Sequence, residues 1–139
     1  MRRLLTVVAA AVLAAGPAAA SDLTLRVQGL KSPEGRVVVA LFDSEAAFKD
    51  KKQPVRTADL PAHAPAVDVA WTDLAPGRYA AVAYHDRDGD GRLDTLPIGL
   101  PTEPFAVSND APARFGPPRW QAAAFEVVAG ANTHSARLR

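Results

Sequence analysis

Apolar and polar positions alternate from the first segment after the N-terminal apolar run: Leu23, Leu25 and Val27 stand against Thr24, Arg26 and Gln28. A two-residue period is that of a strand with one face in a core. Gly29, Pro33 and Gly35 then interrupt it as a turn. Residues 36–43 carry Val37, Val38, Val39, Leu41 and Phe42 with little alternation. That predicts a strand buried on both sides or at the centre of a sandwich. Ser44 is placed to cap one helical turn over 44–50. A short edge strand is expected over 55–60, and Val67, Val69 and Trp71 mark another strand over 66–72. Leu74-Ala75-Pro76-Gly77 is a turn, and 78–85, with Tyr79, Val82 and Tyr84, is a strong strand. Residues 122–128 and 133–138 read as the last two strands. No helical period is sustained and no repeat is visible. The pattern predicts an all-β chain, a single antiparallel β-sandwich of about seven strands.

Residues 95–119 break the rhythm. Six of the chain's 12 prolines lie there and no strand is evident. Proline argues against a missed helix or central strand. A loop this long inside a domain is usually functional. Phe105, Phe115 and Trp120 are expected to pin it to the sandwich.

The N-terminus changes the boundaries. Arg2 and Arg3 precede the apolar run from Leu4 to Ala15, and Ala18-Ala19-Ala20 stand before Ser21. This is the order of a secretory signal peptide. The run is too short for a bilayer, which needs about 20 apolar residues. Residues 1–20 are therefore read as a cleaved signal and 21–139 as one domain, periplasmic or secreted, with no transmembrane segment after processing. Removing 20 of 139 residues leaves 119, with 14 Lys and Arg against 15 Asp and Glu, a net charge of −1. Such a balance, without a basic stripe, excludes nucleic acid as a partner. The chain has no cysteine, so disulfides, thiolate metal sites and a lipid-anchoring Cys are excluded.

The chemistry is concentrated in Asp86-Arg87-Asp88-Gly89-Asp90-Gly91-Arg92-Leu93-Asp94. Four carboxylates share a glycine-punctuated loop, and their repulsion is relieved by a cation between them. Calcium takes six to eight oxygens from loops of this composition. Aligned on a helix-loop-helix calcium loop, Asp86, Asp88 and Asp90 fall at ligand positions 1, 3 and 5, and Asp94 at 9. Position 12, a bidentate Glu in that motif, is Pro97, and neither flank is helical. The missing oxygens are sought in the long loop, at Glu103, Asn109 or Asp110. The simpler alternative is a solvated turn, since Asp and Gly both favour turns.

Other candidates are weaker. His63, His85 and His134 have no common ligand spacing for zinc, and His85 is expected to make a structural hydrogen bond. Trp71 and Trp120 belong in the core unless they form an exposed sugar-stacking pair. Nucleophile-elbow, zincin, phosphate-loop and dinucleotide motifs are absent. A carboxylate pair for glycoside hydrolysis could be drawn from the acidic loop and Glu103, but any two acids allow it.

Gly35 with the strand to Phe42 and Asp43-Ser44, Leu74-Ala75-Pro76-Gly77-Arg78-Tyr79, and His85-Asp86 with its Asp/Gly loop form a set. Pro101-Thr102-Glu103, Ser108-Asn109, Phe115-Gly116-Pro117-Pro118 and Ala123-Ala124-Phe125 extend it. In these motifs, across nearly all of residues 22–138, the chain resembles the DUF2141 family of exported bacterial proteins. The Leu-x-Pro-Gly-x-Tyr segment is also similar to that of prealbumin-like modules. The resemblance implies a periplasmic immunoglobulin/prealbumin-like sandwich and supplies no activity.

The expectation is a monomeric, non-catalytic periplasmic sandwich. It binds a divalent cation, calcium, at Asp86, Asp88, Asp90 and Asp94, completed by Glu103 or Asn109. The alternative is a module whose Pro-rich aromatic loop grips an envelope glycan or protein, with the acidic loop only a turn.

Overall fold

The alternation at the start of the domain becomes β1, Ser21–Gln28, whose Leu23, Leu25 and Val27 are buried. The computed structural model describes residues 19–93, 102–113 and 115–139. After β1 come β2 (Arg36–Phe42), α1 (Glu45–Asp50), β3 (Arg56–Pro61), β4 (Ala66–Leu74) and β5 (Gly77–Asp86). Then follow β6 (Phe105–Val107), α2 (Trp120–Ala123), β7 (Phe125–Val127) and β8 (Gly130–Arg137). The Ser44 hydroxyl caps α1 by accepting from the Ala47 N–H at 3.3 Å, as the sequence predicts.

The described strands form two sheets. One runs β4-β1-β8; the other runs β3-β2-β5-β6, with β7 on the first residues of β5. Between them lies the core, built from Leu23, Leu25, Val27, Val37, Val39, Leu41, Trp71 and Phe125 among others. A second cluster sits on the outer face of the larger sheet, where Phe42, Phe48, Ala80, Val107 and Ala123 meet under α1 and α2. It explains the missing alternation in β2: Val37, Val39 and Leu41 face the main core, and Phe42 is buried on the other side.

The chain is mostly β, but three details differ from the expectation. There are eight strands among the described residues, because the Pro-rich stretch contributes β6, paired with Val82–Tyr84. Three residues are too few to show a period, and Pro104 just before them is tolerated at a strand start. Pairing is not antiparallel throughout. β8 runs parallel to β1, from Ser21 opposite Gly130 to Gln28 opposite Arg137. A parallel neighbour needs a long crossover, and here the rest of the domain supplies it. Lastly, Phe105 and Trp120 pack as expected, but Phe115 is fully exposed.

Past β8 the chain ties the two sheets together. Arg139 and Phe105 exchange backbone hydrogen bonds of 3.0 and 3.3 Å. No helix of the described residues is long and apolar enough to cross a membrane.

Candidate metal centre

β5 ends on Asp86, opposite Arg36 of β2, and the chain then curls. Gly89 and Gly91 have φ of +73° and +77°, a region open to glycine without a Cβ clash. That curl turns backbone N–H groups back onto Asp86. Its Oδ1 accepts from Gly89 at 2.9 Å and its Oδ2 from Gly91 at 2.7 Å. Asp88 accepts from the Asp90 N–H at 3.2 Å, and Asp90 from the Arg92 N–H at 2.8 Å. The Tyr84 hydroxyl donates to the Gly91 carbonyl at 2.8 Å. Glu103 arrives from the far side of the long loop, buried, with Oε1 accepting from the Arg87 N–H at 3.0 Å.

Asp86, Asp88 and Glu103 can each direct one oxygen to a common point, all three atoms lying within 4.8 Å of one another. Asp86 and Glu103 are buried and Asp88 is exposed, so the cluster opens on one side. Burial works to raise the Asp86 pKa. Backbone hydrogen bonds from the Gly91, Gly89 and Asp90 N–H groups, with the Asp88 side chain alongside, outweigh it and hold the carboxyl below its ordinary value. Asp86 is thus an anion at neutral pH. Three converging carboxylates are a donor set for a hard cation.

The structure brings only part of the expected set together. Asp90 is exposed and engaged with the Arg92 N–H, outside the trio. Asp94 lies outside the described residues. Asn109 is elsewhere: it adopts φ +58°, and its amide donates to the carbonyls of Ala122 and Ala124 at 3.2 and 2.9 Å. The preceding Ser108 binds the Ala81 N–H. Asp86 is five residues further along β5, about 16 Å at ~3.3 Å per residue. Asp110 stays with Asn109 and accepts from the Arg137 N–H.

Support for the loop comes from His85, which makes the structural hydrogen bond the sequence predicts, and from the turn before β2. His85, buried, contacts the Glu34 carbonyl through Nε2 at 2.6 Å, and its N–H donates to Pro104 at 2.9 Å. A carbonyl only accepts, so Nε2 carries the hydrogen. Neither tryptophan offers a free face of a stacking pair. Trp71 is buried, and Trp120 is half-buried, edge-on to Phe48 with centroids 5.9 Å apart.

The family model described as an uncharacterized protein conserved in bacteria, DUF2141, matches residues 25–135. The chain belongs to the DUF2141 family. No curated protein and no solved structure matches it. The DUF2141 match spans residues of both sheets, the acidic loop and Glu103.

Proposed function

We propose that this DUF2141 chain is a non-catalytic, exported β-sandwich protein of immunoglobulin/prealbumin-like form, periplasmic or secreted. Its acidic loop holds a structural calcium ion. The observation that carries this reading is the convergence of Asp86, Asp88 and Glu103 from the two ends of the long loop. A cation there ties residue 103 to the end of β5. The ordered turns around Gly89 and Gly91 support the same reading, since they fix two of the three carboxylates before any ion arrives. Titration of the metal-stripped mature chain with calcium and with magnesium, followed by calorimetry, tests it. Heat of binding to calcium, weaker for magnesium, is expected; no heat with either ion refutes the site.

One observation favours a second reading, an envelope glycan- or protein-binding module. Phe115 stands fully exposed and lines a cleft of about 300 Å³, which shares Pro117 and Arg119 with a second of about 330 Å³. Exposed aromatics on a proline-stiffened segment suit a docking role. Against a sugar platform, Trp71 is buried and Trp120 lies edge-on to Phe48.

A further inference from the structure

We propose that the fold closes its own processing site, so that the leader is removed before the domain folds. This rests on the reading that a leader ends at Ala20. The bond concerned joins Ala20 to Ser21. Ser21 has 0% exposed surface and opens β1, the middle strand of its sheet. It faces Leu74 of β4 on one side and Gly130 of β8 on the other. The Ala20 carbonyl itself accepts from the Gly130 N–H at 3.3 Å. Leu23 and Leu25, next along the strand, are buried in the main core.

An endopeptidase holds its substrate extended, with the backbone on both sides of the bond pairing to the enzyme as an added strand. β1 has no edge to offer. Its hydrogen-bonding sides are taken by β4 and β8 along nearly its whole length. Presenting the residues after the cut means leaving both ladders and drawing Leu23 out of the core. A terminus frays at little cost where few contacts hold it, but a strand with neighbours on both sides opens with much of its sheet. The small residues at 18–20 satisfy the peptidase in sequence, and the fold withholds the bond they mark. The chain therefore meets the peptidase before β8 has closed on β1. Because β8 lies more than 100 residues after β1, closure waits until β8 has emerged. Export as an unfolded chain follows, in preference to export of a folded one.

The test uses purified signal peptidase in detergent and three forms of the full 139-residue precursor. The first is native. The second is unfolded by Val39→Asp and Phe125→Asp together, which bury unpaired charge in the core. The third is native with about six Gly and Ser residues inserted between Ala20 and Ser21, a flexible spacer. Thermal melts establish which forms are folded, and intact mass locates the cut. The unfolded form should be cut between Ala20 and Ser21. The native form should be cut at least about 10³-fold more slowly, since domains open globally in about 10⁻³ of molecules or fewer. The spacer should restore cutting without unfolding the domain. Native precursor cut at the same bond as fast as the unfolded form overturns the proposal and leaves the leader reading intact. An unfolded form cut at another bond, or not at all, overturns the leader reading and the proposal with it.

Discussion

Gly35 lies against the backbone of Asp86 so closely that a Cβ on it would come within 2.1 Å of the Asp86 carbonyl oxygen. The same Cβ would lie 2.7 Å from the Arg87 Cα. Gly35 also has φ +74°. The turn between β1 and β2 thus forms a wall of the acidic loop, and the absent side chain allows it.

Gly35→Ala should be strongly destabilising. Two terms add: the left-handed backbone costs about 1–2 kcal/mol for a residue with a Cβ, and overpacking against fixed backbone costs about 1–3 kcal/mol more. A loss of roughly 2–5 kcal/mol is expected, visible as a fall in Tm of several degrees per kcal/mol. An unchanged Tm would show that the two loops are not in contact.

Asn109→Ala tests the other end of β5. The variant leaves the carbonyls of Ala122 and Ala124 without the amide that now donates to both, and puts alanine at φ +58°. Each lost hydrogen bond is worth about 0.5–1.5 kcal/mol, and asparagine tolerates the left-handed region better than alanine. Destabilisation of about 2–3 kcal/mol in urea unfolding is expected. The response to calcium should be unaffected.

These two positions show what was legible. The alternation of β1, the Ser44 cap and the strong strand into Asp86 follow from local physics, and the structure has them all. Glu103 is expected because a loop with too few oxygens must find more nearby, and the structure sets its carboxylate near those of Asp86 and Asp88. Asn109 was sought for its carbonyl oxygen, but the fold uses its amide hydrogens. The parallel pairing of β1 with β8 leaves no local pattern, because its partners are separated by most of the chain. Gly35 reads as a turn glycine in sequence, and its contact with Asp86 needs the register of β2 on β5.

Acid should destabilise the protein in two steps. His134 is stacked on Phe125, with centroids 4.1 Å apart, and its buried Nε2 has no hydrogen-bond partner among the described residues. Burial pushes its pKa below 6.5, against an opposing pull from Asp110. A histidine whose folded pKa is lowered binds its proton less readily in the fold than in the unfolded chain. Its contribution is therefore complete above pH 6.5 and declines as pH falls below it. Asp86 acts in a lower window. Burial works to raise its pKa, but the hydrogen bonds to its carboxylate win, so its stabilisation is complete above 3.8 and lost as pH falls below that. Tm measured from pH 8 to 3 should show both declines. His134→Phe should remove the upper one alone; if the variant tracks wild type through that range, the histidine is not responsible.

Calcium should stabilise the mature chain. The three carboxylates of the trio repel one another, and an ion between them converts that repulsion to attraction, so binding and folding are linked. Extracellular calcium modules bind at about 10⁻⁴–10⁻³ M. At ~100-fold above the Kd, stability should rise by about 2.7 kcal/mol. Magnesium should help less, because it demands a tighter octahedron and gives up water reluctantly. Asp88→Ala and Glu103→Gln remove members of the trio and should abolish the rise in Tm. Asp90→Ala, whose carboxylate lies outside the trio, should keep most of it. Asp22→Ala, on the exposed side of β1, should keep all of it. Asp88→Ala should also be slightly more stable than wild type in chelator, since one source of repulsion is gone. Equal melting of wild type in chelator and in excess calcium would leave the loop as a turn, with its aspartates serving only the backbone N–H groups that now bind them.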